Sequence, residues 1–272
     1  MNFEEVLLKK GKGKPINYDQ VELKITNSTD LTSMEGIQKF SKLKTLELNN
    51  VPNLKNVTDL PESLRILICG NDRDGQSLRS ADIHTIDKFP SKIEEIYLGN
   101  NIRLKEIPAV PATCTILQLY KTKVSEFAGG KGLVNLNIRM TNFKEFEDAV
   151  TKYPMLEKLY MGDTYIRSLT NLPRLKVLHG LYSGKKRIES LNYLDLSNQR
   201  SEYSSVDFHL TSDADAKGWV PNVEINWGDW SPTHGKFFGR TTSDIFVEQN
   251  LNKTSDRRGE ASILDTGLFD FI

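Results

Sequence analysis

Apolar residues return along this chain in a fixed frame, Leu-x-x-Leu-x-Leu, with polar stretches between. Leu43/Leu46/Leu48, Leu64/Leu67/Cys69, Ile93/Ile96/Leu98, Cys114/Leu117/Leu119, Leu133/Leu136/Ile138, Leu156/Leu159/Met161 and Leu191/Leu194/Leu196 fill it. A degraded copy starts at Leu175 and Leu178 with Gly180 in the third slot. A degenerate earlier copy reads Tyr18/Val21/Leu23, with Ile25 beyond it. From Leu43 onward, successive starts lie 21, 29, 21, 19, 23, 19 and 16 residues apart. The second and third slots are two residues apart, the period of one face of a β-strand, so each copy predicts a short strand. One such strand cannot bury its own apolar edge. A stack of copies can, each covering the next.

The second half of each copy is also patterned. Two further apolar residues follow three apart, as Leu54/Val57, Leu104/Ile107, Val124/Phe127, Phe143/Phe146 and Ile166/Leu169. A proline comes next, at Leu60-Pro61, Phe89-Pro90, Val110-Pro111, Tyr153-Pro154 and Leu172-Pro173. Proline ends a preceding helical turn and sends the chain back toward the next strand. Each copy is therefore a circuit of strand, turn, second apolar segment and return. The 29-residue step after Leu64 carries an insertion at Arg73-Asp74-Gly75-Gln76-Ser77, and residues 145–150 predict a short helix with Phe146 and Val150 inward.

On these residues the chain resembles the leucine-rich-repeat family, with the extended frame Leu-x-x-Leu-x-Leu-x-x-Asn intact as Ile93, Ile96, Leu98 and Asn101. The Asn slot reads Thr26, Asp72, Thr122, Thr141 and Thr164 elsewhere, while Val51 departs from it beside Asn50. A short polar side chain there satisfies backbone groups that turn inward as the strand ends. The resemblance covers about residues 18–199. It implies an α/β solenoid, a horseshoe with a parallel β-sheet on its concave face, and binding of a macromolecule. The expected organisation is an N-terminal cap or arm over 1–17, eight to nine repeats over 18–199, and a C-terminal cap or β-rich module over 200–272.

The same frame defines a candidate surface, because residues between the apolar slots point the other way. That concave row includes Thr45, Glu47 and Asn49, then Ile66 and Ile68, Glu95 and Tyr97, Gln118 and Tyr120, Asn137 and Arg139, Lys158 and Tyr160, and last His179 and Tyr193. Tyrosine and arginine give rigid contact area with a polar tip, the combination enriched at interface hot spots. Strand propensity alone also favours tyrosine. Exposed Ile66 and Ile68 beside Tyr97 would form an apolar patch.

Composition narrows the function classes. Lys plus Arg and Asp plus Glu both number 36, so no global field attracts nucleic acid or an anionic membrane. The lysines near residues 9–14 lack the Gly-Lys-Ser/Thr ending of a phosphate loop and read as a solvated turn. Gly129-Gly130-Lys131-Gly132 is expected in a return loop. The apolar patch Val6-Leu7-Leu8 precedes its lysines, the reverse of a secretory signal, and nothing approaches a membrane span. A cytoplasmic or intracellular setting is expected, or a component of a virion or other large particle. The sequons at Asn27, Asn56 and Asn252 are then chance matches in an Asn-rich chain.

Cys69 and Cys114 both occupy apolar slots two copies apart. At ~4.8 Å per strand their backbones would lie roughly 10 Å apart, beyond disulfide reach. The histidines His84, His179, His209 and His234 sit in no nucleophile elbow or zinc spacing. Asp207, His209, Asp213 and Asp215 are the densest acid and imidazole cluster, but polar loops produce such clusters often. No enzyme activity, cofactor or metal is expected.

Past Asn198 the frame stops, and all three tryptophans, Trp219, Trp227 and Trp230, follow. Residues 223–233 alternate and then turn at Gly228-Asp229. This stretch is similar to the Trp-Gly-Asp-Gly-Ser strand-turn of PKD-like β-sandwich modules, with Trp230 in place of the second glycine. The apolar finish over 263–272 should dock on the chain itself or on a partner. The leading expectation is a protein-binding module without catalysis. A structural subunit of a large assembly is the second reading, and a catalytic tail a third.

Overall fold

A computed structural model describes residues 1–70, 81–146, 149–162, 164–166, 168–169 and 174–179, together with the backbone of four later strands. Contacts divide the chain into Met1–Leu133 and Val134–Ile272. The first unit opens with helix α1 (Phe3–Lys10) and holds strands β1 (Glu22–Thr26), β2 (Thr45–Asn49), β3 (Asn56–Val57), β4 (Ile66–Ile68), β5 (Thr85–Ile86), β6 (Glu95–Tyr97) and β7 (Ile116–Gln118). The second holds β8 (Asn135–Asn137), helix α2 (Ala149–Lys152), β9 (Lys158–Tyr160), β10 (Ser168–Leu169), β11 (Val177–His179), β12 (Tyr193–Asp195), β13 (Val206–His209), β14 (Glu224–Asn226) and β15 (Gly235–Phe238).

Among the described residues all strand pairing is parallel, as in a solenoid whose successive turns stack. In the first unit the main ladder runs β1-β2-β4-β6-β7, and a second ladder pairs β3 with β5. In the second unit β8, β9, β11, β13 and β15 form the main ladder, and β10, β12 and β14 the second.

The register shows why the frame recurs. Leu23, Leu46, Leu67, Ile96 and Leu117 align across the first unit's main ladder. Leu136, Leu159 and Leu178 align in the second unit. Each is buried, as are the first-slot residues Leu43, Leu64, Ile93, Cys114, Leu133 and Leu156. A fully buried aliphatic side chain contributes about 1.5–3 kcal/mol, so each turn stabilises its neighbour.

The same register corrects the earliest copy. Leu23 pairs with Leu46 and Ile25 with Leu48, so these two fill the second and third slots. Val21 is 52% exposed and Tyr18 also lies at the surface. The polar slot three residues past Ile25 is therefore the buried Ser28, and Thr26 pairs with Asn49 within the strand.

Helix α1 covers the first turn. Asn2 and Glu5 form a reciprocal capping box, with both backbone N–H to side-chain oxygen distances at 2.9 Å. Glu4 and Glu5 lie in the first turn and Lys9 and Lys10 in the last, which complements the helix dipole. Phe3 and Val6, one turn apart, are buried, and the Phe3 ring meets Phe40 edge-on at 5.9 Å. Lys39 joins Glu4 at 2.9 Å, and the Tyr18 hydroxyl donates to the same carboxylate. Those two hydrogen bonds hold the Glu4 carboxyl below its ordinary range. Lys10 closes over the outer edge of β1, its Nζ donating to the Thr26 carbonyl at 2.7 Å.

The described helix of the second unit is Ala149–Lys152, and residues 145 and 146, where the pattern starts it, are not helical. Phe146 is buried as expected and stacks on Tyr153 with centroids 5.0 Å apart. Val150's side chain and residues 71–80, including the insertion, lie outside the described residues.

Candidate functional site

Two features of each turn fix the outward side chains. The first is the bend after the strand. Asn27, Asn50, Asn100, Lys121 and Met140 all have φ between 50° and 66°, each two residues past a third slot. The next residue then points inward, and in three turns its side chain bonds the third-slot carbonyl. Asn101, fully buried, donates from Nδ2 to the carbonyls of Leu98 at 2.8 Å and Cys69 at 2.5 Å, and accepts from the Ile83 N–H at 2.7 Å. Thr122 and Thr141 donate to Leu119 and Ile138 at 2.9 and 2.5 Å. Val51 is buried with no such bond to give, and Asn50 does not replace it: its side chain reaches outward to Asn27, 2.7 Å away.

The second feature is close approach between turns. Gly70 and Gly99 follow the third slots of neighbouring turns. A Cβ on Gly70 would sit 2.0 Å from the Gly99 carbonyl oxygen. Glycine on both strand ends leaves a gap in an outward column that otherwise holds Asn49 and Tyr120.

Between these features the outward row is in register. In the first unit Lys24, Glu47, Ile68, Tyr97 and Gln118 are successive partners. The neighbouring row runs Glu22, Thr45, Ile66, Glu95 and Ile116. In the second unit Asn137, Tyr160 and His179 align. Ile116, Glu22, Lys24 and Asn135 share these rows and were absent from the sequence-derived set. Counting one residue from each second slot in both directions, with Leu23 as the second slot of the first turn, finds them.

The expected residues do not all behave alike. Glu47, Ile66, Glu95, Gln118, Tyr120, Asn137, Arg139 and Tyr160 are half-buried, and Lys158 is exposed. Ile68 and Tyr97 are only 6% and 5% exposed, so the anticipated apolar patch reduces to Ile66. The Tyr97 hydroxyl lies back along its own strand and donates to Glu95 Oε2 at 2.8 Å. Glu47 pairs with Lys24 at 2.5 Å and accepts from Asn49. The His179 side chain lies outside the described residues.

Tyr193 is displaced from the row altogether. Its strand β12 pairs with β10, Tyr193 opposite Ser168, and so belongs to the second ladder. The 16-residue step from Leu175 is the shortest in the series and does not complete a circuit. The main ladder resumes at β13, where Val177 pairs with Asp207. Parallel pairing thus continues past Asn198 into β13, β14 and β15. The side chains of Asp207, His209, Asp213, Asp215 and the tryptophans lie outside the described residues.

Other chemistry is sparse among the described residues. No group of three metal-ligating side chains occurs there. Cys69 and Cys114 are free and buried. Burial pushes both thiols up, Cys114 to about 12. An ion cluster gathers around Asp82, with Lys55 bonded to it and Arg103 at 3.9 Å. Partial burial raises the Asp82 carboxyl, but Lys55, Arg103 and His84 together hold it below its usual value. No helix among the described residues is long and apolar enough to cross a membrane.

No protein-family model matches the chain. Comparison with curated proteins finds no match either. Among solved structures, the chain is similar to the functional domain of InlJ from Listeria monocytogenes, described as including a cysteine ladder, at 15% identity and a TM-score of 0.38. The match covers 85% of this chain and 61% of that one, so the chain spans less than two thirds of that protein's length.

Proposed function

We propose that this chain is a protein-binding solenoid of leucine-rich-repeat type and not an enzyme. Its contact residues lie on the outward face of the main ladder within each unit, the face expected to be concave. The observation carrying this reading is the split along each strand. Apolar slots are fully buried, while Tyr120 in one unit and Arg139, Lys158 and Tyr160 in the other stay half-buried or exposed. Aromatic rings on a rigid ladder lose little conformational entropy on contact, and a guanidinium adds a planar fork of hydrogen-bond donors, which suits recognition. In the second unit Tyr160 sits directly between Asn137 and His179 in the register, so a partner would meet aromatic and amide groups side by side.

The test is affinity capture from the native source followed by mass spectrometry. The intact chain is compared with a Tyr120→Ala variant and with a Lys158→Glu/Tyr160→Ala variant. The reading expects a partner that the intact chain retains and at least one variant loses, with unchanged circular dichroism. Retention of the same partners by both variants would move recognition off this face.

A further inference from the structure

Strand β1 ends the first unit's main ladder, and its far edge pairs with no strand among the described residues. Two bonds fix its near edge. The Thr45 N–H donates to the Val21 carbonyl at 3.1 Å, and the Asn27 N–H to the Asn49 carbonyl at 3.0 Å. A parallel strand alternates its edges, so Val21, Leu23, Ile25 and Asn27 turn their backbone groups toward β2, while Glu22, Lys24 and Thr26 turn theirs away. Of helix α1, only Lys10 bonds to this far edge, at the Thr26 carbonyl. Among the described residues nothing bonds to the backbone of Glu22 or Lys24 on that side. Both side chains are exposed; Lys24 bridges to Glu47, and Glu22 makes no ion pair with a described residue.

We propose that a second copy of this chain pairs with this edge, antiparallel, about a two-fold axis at Leu23. A lone edge lysine blunts an open strand against pairing. Glu22, two residues before Lys24, instead makes the edge complementary to itself. In this register Glu22 lies opposite Lys24 of the second copy, and Lys24 opposite its Glu22. Each such pair exchanges both backbone bonds, because both residues face the shared edge. On the outward side the unpaired Glu22 meets an ammonium, and Lys24 bridges it to Glu47. The two neighbouring registers that keep the same backbone groups facing set Glu22 against Glu22 or Lys24 against Lys24, and like charges directly opposite are destabilising. On the inward side Leu23 meets Leu23, and the exposed Val21 comes opposite Ile25 of the second copy. The flanking charges agree with this direction. Asp19, before the edge, is held by Lys42 at 3.1 Å, and Lys10 stands at its far end beside Thr26, so antiparallel pairing brings the acidic start of one copy to the basic end of the other. This pairing does not rest on the partner-binding reading, since self-association and partner capture are read separately.

The test is sedimentation equilibrium of the full chain from about 10 µM to 1 mM, with amide exchange at Lys24 followed by nuclear magnetic resonance. A contact this short is smaller than a standard protein interface, so a dimer with a Kd of about 10–300 µM is expected. The Lys24 amide should then exchange about threefold or more slowly at the top of that range than at the bottom. Glu22→Lys and Lys24→Glu, both at exposed positions, should each weaken dimerisation by about tenfold or more. An equimolar mixture of the two variants should associate again, because each like-charged edge then meets its opposite. A chain that stays monomeric at about 1 mM would overturn the proposal and leave the edge to a strand of another protein. So would self-association that both variants retain, or a mixture that associates no better than either variant alone.

Discussion

Asn101 joins two turns of the solenoid by a hydrogen bond to the carbonyl of Cys69, 32 positions earlier in the chain. It also accepts from the Ile83 N–H and donates to the Leu98 carbonyl, so one buried amide serves three backbone groups. Asn101→Ala leaves all three without a partner and opens a cavity. We expect a loss of about 2–4 kcal/mol, since each orphaned buried group costs about 1–3 kcal/mol and relaxation recovers part. Asn101→Thr should lose less, because Thr122 and Thr141 already hold the equivalent carbonyl in their own turns. Urea unfolding midpoints of the two variants check the order. Equal midpoints would show that the inward amide does not bind the turns together.

Gly70 tests a steric claim separately from a conformational one. Gly70→Ala places a methyl 2.0 Å from the Gly99 carbonyl oxygen, a backbone atom that cannot swing aside. Gly13→Ala meets nothing within 4 Å, and its cost is only that of a left-handed backbone at φ 78°. The second should cost about 1–2 kcal/mol. The first should exceed it, because turns forced apart lose packing on both sides. Thermal melting of both variants under one buffer decides the order.

The alkaline limb of stability follows from the buried ionisable groups. The Cys114 and Tyr153 groups are pushed up to about 12 by burial, from ordinary values near 9 and 10, and Cys69 is raised as well. Unfolding releases these protons at lower pH than the folded chain does. Their contribution is therefore complete below about pH 9 and declines as pH rises from there toward 12. Urea midpoints should be flat across pH 7–8.5 and fall above pH 9. Replacing both cysteines with alanine should make that fall shallower. In the folded chain at pH 8 neither thiol should react with a maleimide, and both should react once urea unfolds it.

The apolar frame was legible wherever chemistry and spacing agreed, because period-two packing allows few substitutes at Leu46, Leu67, Ile96 and Leu117. The first copy lies two residues further along than its spacing suggests. Tyr18 and Val21 have the right spacing, but only pairing with Leu46 and Leu48 identifies Leu23 and Ile25 as the true slots. Helix α1 replaces part of the expected solvated turn, since Lys9 and Lys10 belong to its last turn; its sequence signal is Asn2 and Glu5, three residues apart before an apolar patch, which the reading of 1–17 as a cap or arm does not use. Tyr193 fits the frame as well as any residue does. Its place in the second ladder depends on how far the chain travels after Leu175, and only the short 16-residue step hinted at it. Facing outward is a property of the strand, whereas exposure depends on neighbouring turns.

That distinction separates the tyrosines. Tyr97 and Tyr160 both stand one residue past a second slot and share an outward row position by sequence. Tyr97 is 5% exposed and Tyr160 is half-buried. Tyr97→Ala removes a ring packed almost wholly out of water, which should cost about 3–5 kcal/mol by analogy with other large-to-small aromatic truncations in cores. It also strips Glu95 of the hydroxyl that donates to it. Tyr97→Phe keeps the ring and should cost about 1 kcal/mol for the lost bond. Tyr160→Ala should lose about 1 kcal/mol or less, since most of its change is at the surface. Melting curves of the three variants provide the comparison. If Tyr97→Ala were as stable as Tyr160→Ala, Tyr97 would belong with the exposed recognition residues after all, and loss of a partner in that variant could be read as lost contact. If it melts early, as the packing requires, any binding defect there reports a damaged fold. The interface must then be mapped through Tyr120, Lys158 and Tyr160.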